Sequence, residues 1–269
     1  MQGLSVHGPG ENTLRYYEQI KIKKHTEDSM IWNKKFNYPT STRALINGKR
    51  HYDVGTHEKL PSVTTILQAT QSEEKRKKLE EWRKRMGAQY ADRVKDIAAL
   101  RGTSMHTYLE GYIKGERHVD LTSIGKEAGI MAQKVIDSGL GDLEEVWGTE
   151  VTLYYPGLYA GQTDVVGIYN GRESIIDFKQ TNKPKQREWI DDYFTQLGAY
   201  AMAHNTIYGT QIQSGIILMC SKDGFFQKFE VFDKEFRDYQ HTFLKKVDQY
   251  YTNCTKNENS QDTKNDQKV

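Results

Sequence analysis

The dipeptide Asn170-Gly171 constrains this chain more than any other feature, because it separates two strand-like runs, "GQTDVVGIY" and "RESIIDFK". Asn and Gly both tolerate the positive φ of a two-residue type I′ loop, so the spacing predicts a hairpin with strands near 159–169 and 172–180. Such a loop fixes the register outward: Tyr169 faces Arg172, Val166 faces Ile175, and Asp164 faces Asp177. Carboxylates placed opposite one another repel unless a cation neutralises them. Gln162 and Lys179 form the next pair on that face, so Asp164, Asp177 and Lys179 are expected together.

These groups suit phosphodiester hydrolysis. Carboxylate oxygens are the ligands magnesium prefers, and a site with few protein ligands leaves room for water and phosphate. The metal polarises the phosphate and acidifies a bound water, while an ammonium beside it steadies developing charge. The plainer alternative is two surface aspartates neutralised by a lysine. Apolar residues on both faces of "SIIDFK" speak against exposure.

Around this hairpin the chain reads as α+β. A second Asn-Gly turn, Asn47-Gly48, predicts a hairpin over 43–54, and Ser62 can cap a helix from Val63. Leu79, Trp82, Met86, Tyr90, Val94 and Ile97 recur at helical spacing. Gly102 is expected to break that helix, with Thr103 capping a second one and Ile124, Ala128, Met131 and Val135 lining a third. Alternation over 150–155 predicts a strand. After the hairpin come a helix over 187–204, strands near 211–219 and 225–231, and a helix from Asp233 with Phe236, Tyr239, Phe243, Val247 and Tyr250 inward. This order predicts a mixed β-sheet core with flanking helices. One domain is expected over 41–251 with a helical insertion at 63–138, after an extension, 1–40, of unassigned structure and before a disordered tail, 252–269.

Composition narrows the function. Net charge is +2, so nucleic-acid contacts must come from local patches rather than bulk attraction. Candidates are Ser62, Thr64 and Thr65 at a helix start, Lys183, Lys185 and Arg187 just after the hairpin, and Arg101. Two cysteines exclude a disulfide framework and a four-cysteine iron-sulfur cluster. No run reaches the roughly 18 apolar residues of a membrane span. Neither a secretory nor a transit peptide is legible. Further polar candidates are His106, which shares a helix side with Glu110, Glu150 on the preceding strand, and Gln196 with Tyr200, four apart on a helix.

Taken in order, "GTSMHTYLE", "GQTDVVGIYNGRESIIDFK" and "QLGAY" resemble the RecB-like branch of the PD-(D/E)XK nucleases: a helical histidine, Gly-x-x-Asp, Asp-x-Lys and Gln-x-x-x-Tyr. "LPSVTTILQAT", "LEEWRKRM", "NKPK" and "YAMAHN" extend the resemblance over 43–250, towards exonucleases of mitochondrial genome maintenance and of phages. The resemblance implies a restriction-endonuclease-like fold with a helical arch, and a DNA exonuclease that prefers single strands. It places Asp164, Asp177 and Phe178 among the ligands of Mg2+ or Mn2+, completed by His106 and Glu150. Lys179 would assist the attacking water, and Gln196 and Tyr200 would brace the site. A structure-selective endonuclease and a non-catalytic single-strand-binding protein are the alternatives. A monomer without membrane contact is expected, in a phage-infected bacterial cytoplasm rather than a mitochondrion.

Overall fold

The Asn-Gly turn forms as the sequence demands, with Asn170 at φ 48° and Gly171 at φ 72°. The computed structural model describes residues 30–265, with side chains through residue 256. Its strands are β1 (Ile31–Trp32), β2 (Thr42–Ile46), β3 (Lys49–Asp53), β4 (Leu60–Pro61), β5 (Leu143–Tyr155), β6 (Tyr159–Tyr169), β7 (Arg172–Thr181), β8 (Ser214–Ser221) and β9 (Phe226–Phe232). Among the described residues the helices are α1 (Val63–Ala69), α2 (Glu73–Met86), α3 (Ala88–Lys114), α4 (Ser123–Gly139), α5 (Asp191–Tyr208) and α6 (Asp233–Asn265).

The main sheet has the order β1-β5-β6-β7-β8-β9. It is mixed: β5, β6 and β7 form an antiparallel meander, β7 and β8 run parallel across the α5 crossover, and β9 returns antiparallel. A separate three-stranded sheet holds β2, β3 and β4. Strand alternation sends Val166 and Ile175 to one face, against α1, α5 and α6, where Phe194, Leu197, Phe236 and Phe243 are fully buried. Val165, Ile176 and Phe178 go to the other face, against Met105 and Leu109 of α3 and Met131 and Val135 of α4. The mixed α+β architecture expected from the element order is therefore the one found.

Three features differ from expectation. The break in the long helical pattern falls at Gly87, whose φ of 83° an L-residue rarely adopts, and α3 runs straight through Gly102. Gly102 is instead a point of close approach: a Cβ there would lie 3.3 Å from Gln180 Cγ. Within the segment left unassigned, residues 30–38 are structured, β1 pairing in parallel with β5 and Phe36 and Tyr38 packing on His204. A two-residue strand has no period to read. Residues 1–29 and 266–269 lie outside the described part. The tail expected to be disordered from 252 begins as a continuation of α6, because helix propagation from a packed portion adds one hydrogen bond per residue fixed.

Part of the helical region stands away from the sheet. No residue of α2 is buried, and of the first thirteen residues of α3 only Ala91 is. An ion pair from Lys75 to Asp192, 2.8 Å long, links α2 to the first turn of α5.

Candidate functional site

The antiparallel pairing of β6 with β7 covers Val165–Ile176 to Tyr169–Arg172 in the expected register, and stops there. Beyond it, β6 continues alongside β5 and β7 alongside β8. The two strands fork, and Asp164 and Asp177 sit in the crotch, one residue past the last paired positions. Gln162 and Lys179 are therefore not a cross-strand pair; Gln162 pairs with Thr152 of β5.

Asp164 reaches across the fork, its Oδ2 accepting from the Phe178 backbone N–H at 2.6 Å. Its Oδ1 lies 3.3 Å from His106 Nδ1, and Glu150 Oε1 lies 3.9 Å from the same nitrogen. His106, Glu150 and Asp164 thus offer one ligand atom each within 4.8 Å of one another. The other imidazole nitrogen, Nε2, donates to the Phe178 carbonyl at 2.8 Å, which leaves Nδ1 facing the acids. Phe178 could join a metal site only through that carbonyl, since its ring is in the core, and His106 already holds it.

Glu150 reaches the cluster through an unusual backbone. Its φ is 51°, in the left-handed region that a glutamate seldom occupies, between Thr149 and Val151, which both pair normally with β6. Its carbonyl accepts from Gln162 Nε2 at 2.8 Å, which helps hold the distortion. Strain of this kind costs about 1–3 kcal/mol and persists where the surroundings enforce it.

Asp177 is buried, and its Oδ2 faces Lys179 Nζ in an ion pair. Burial pushes the Asp177 carboxyl up to about 6; Lys179 pulls against this and Asp164 adds to it. Asp164 is also penalised by burial, but His106, Lys179 and the Phe178 N–H outweigh that and hold it below the usual carboxylate range. For His106 the same balance runs in reverse: burial opposes its charge, yet Asp164 and Glu150 raise it well above the ordinary histidine value. Lys179 is likewise raised, burial being overcome by Asp177 and Asp164. The site holds three acids, Glu150, Asp164 and Asp177, against one imidazole and one ammonium, and that excess of acid fits a divalent cation.

Gln196 and Tyr200 approach from α5, with Gln196 Nε2 donating to the Tyr200 hydroxyl at 3.0 Å. The Tyr200 ring packs so closely on Gly161 of β6 that a Cβ there would come within 2.6 Å of it. Burial raises the Tyr200 hydroxyl far above its ordinary range, so it keeps its proton. Sequence reading missed Tyr193, whose ring centroid lies 5.0 Å from Lys179 Nζ; its place three residues before Gln196 on the same helix was the available signal.

The expected phosphate contacts are scattered. Ser62 and Thr65 are buried, Ser62 capping α1 by accepting from Thr65 N and Thr65 donating to the Arg50 carbonyl; only Thr64 of the three is exposed. Lys183 is exposed and Lys185 half-buried. Arg187 is committed to Glu235 at 2.7 Å and to the Glu230 carbonyl. Arg101 is only 2% exposed, so the contact expected of it has no surface to be made on.

No protein-family model matches the chain. Human mitochondrial genome maintenance exonuclease 1 is 31% identical over 216 residues, 75% of this chain and 61% of that protein. The mouse protein of the same name is 29% identical over 195 residues, 66% of this chain and 56% of its own length. The Xenopus tropicalis protein is 29% identical over 200 residues, 71% of this chain and 56% of its own length. The chain is thus similar to mitochondrial genome maintenance exonuclease 1 over about three quarters of its own length. It spans about three fifths of the length of these relatives. The mitochondrial name gives no support to the bacterial cytoplasm expected from sequence. Among the described residues no helix is long and apolar enough to cross a membrane.

Proposed function

We propose that the chain is a divalent-metal-dependent DNA exonuclease whose active site is the fork between β6 and β7. The observation that carries this reading is the convergence of His106, Glu150 and Asp164 within one ion's reach, beside a buried Asp177 that pairs with Lys179. His106 Nδ1 and the carboxylates of Glu150, Asp164 and Asp177 would hold the ion. Hard oxygen donors in that majority favour Mg2+ or Mn2+ over softer metals. Such an ion supplies charge neutralisation at the phosphate and acidifies water.

The chain's own groups do the rest. Lys179 keeps its proton, so it acts as a cation that orients water or a phosphate oxygen rather than as a base. The protonated Tyr200 hydroxyl, aligned by Gln196, is a donor at the edge of the fork. Single-stranded substrate is supported by α2 and the start of α3, where exposed Leu79, Met86 and Tyr90 lie among lysines and arginines. Unstacked bases on such side chains with phosphates along the cations give sequence-tolerant binding.

The test is digestion of end-labelled single-stranded, duplex and circular single-stranded DNA with Mg2+, with Mn2+ and with chelator. Metal-dependent loss of linear single strands with circles intact is expected. Cleaved circles would point to an endonuclease of the same fold, and DNA binding without any cleavage to a binding protein.

A further inference from the structure

Among the described residues, the most completely buried cation outside the fork is Arg101 on α3, five residues before His106. Its partners are specific. Nε donates to Gln180 Oε1 at 3.0 Å, one terminal nitrogen donates to Asn182 Oδ1, and the other lies 3.4 Å from Glu127 Oε2 of α4. Gln180 and Asn182 follow directly after Asp177 and Lys179 along β7 and its exit. The Gln180 amide is used at both ends, because its Nε2 also donates to the Ala98 carbonyl of α3 at 2.9 Å. At Gly102, beside Arg101, helix and strand approach until only a glycine leaves ordinary clearance from Gln180.

A guanidinium is suited to this because its planar fork can bind several oxygens at once in fixed directions. Here those oxygens belong to the strand that bears Asp177 and Lys179 and to the helix packed behind α3. His106 has to present Nδ1 to Asp164 and Glu150 while holding the Phe178 carbonyl, so its distance from β7 decides whether the ligand set closes. We propose that Arg101 is a positioning residue: with Gln180 it clamps α3 to β7 and sets the placement of His106 relative to the forked strands. This rests on the metal-nuclease reading of the fork. It also reassigns a residue whose charge suggested phosphate binding.

The test uses the full chain with Arg101→Lys, which keeps the charge and loses the fork, and Gln180→Met, which keeps the bulk of a half-buried side chain and loses both amide bonds. Three quantities are read: Mn2+ affinity by titration calorimetry, the maximal single-turnover rate on end-labelled single-stranded DNA, and DNA affinity as a function of salt. For both variants Mn2+ affinity should fall about 10-fold or more, as when a group orienting a metal ligand is lost, and the maximal rate should fall with it. DNA affinity and its salt slope should stay as in wild type. Should Arg101→Lys fail to fold, Gln180→Met decides alone. Unchanged Mn2+ affinity overturns the proposal, and a salt slope reduced by roughly 0.7 in a third variant, Arg101→Gln, which removes the charge, would make Arg101 a phosphate contact instead. A wild-type chain that neither binds Mn2+ nor cleaves DNA removes the metal-site reading and the clamp with it, an outcome the wild-type control separates from failure of the clamp alone.

Discussion

The two halves of the β6–β7 hairpin are built from the same strands and do opposite things. From the turn to Val165 and Ile176 the strands are paired, their side chains sunk into the two layers of the core. Beyond that point they separate, and the same inward direction that buries Val166 and Ile175 aims Asp164, Asp177 and Lys179 into one confined space. The paired half gains stability from apolar burial, whereas the open half spends it on desolvated charge. That contrast explains how acids whose repulsion would break a regular sheet can be tolerated: the ladder ends where they begin, and His106 and Lys179 supply the opposite charge.

The sharpest way to break this contrast is one substitution on each side. Asp177→Asn should lower cleavage about 10³-fold, roughly 4 kcal/mol of transition-state stabilisation, while circular dichroism stays native. Ile175→Ala, two residues away in the paired half, should cost about 2–5 kcal/mol in a denaturant titration and leave the rate per folded molecule near wild type. Equal loss of rate in both variants would mean that the halves are not functionally distinct.

Smaller effects sharpen the picture. Glu150→Gly should weaken Mn2+ binding about 10- to 100-fold, yet raise stability by up to about 1 kcal/mol because glycine accepts the left-handed backbone. A stability loss there would show that the glutamate is not strained. Acidification gives the least effect. With the Asp177 carboxyl up to about 6, protons bind it as pH falls through that value and compete with the ion, so Mn2+ affinity should decline about tenfold between pH 7 and pH 5. A protonated His106 competes in the same direction. Affinity that is flat over this interval would place the ion away from Asp177.

Much of this arrangement was legible in the chain. Asn170-Gly171 fixed the turn and the register as far as it extends, and the α+β element order followed from periodicity. The residues gathered at the fork, His106, Glu150, Asp164, Asp177 and Lys179, were all among the candidates. What misled was glycine. Gly87 and Gly102 are indistinguishable as sequence, but one ends a helix through its backbone angle and the other lets a helix lie against Gln180. Arg101 misled in a similar way, since a positive charge in a helical segment rich in cations reads as surface, and only the neighbours that bury it show otherwise.

The chain alone determined what local chemistry determines: where a two-residue turn can form, which residues alternate to which face, and which side chains could ligate a metal. Tertiary structure decided where the hairpin stops being one, because β6 stays paired with β5 and β7 with β8 past the point where their mutual ladder ends. It also decided that Glu150 turns inward and Arg101 is walled in, since both depend on atoms brought together from distant segments rather than on spacing along one.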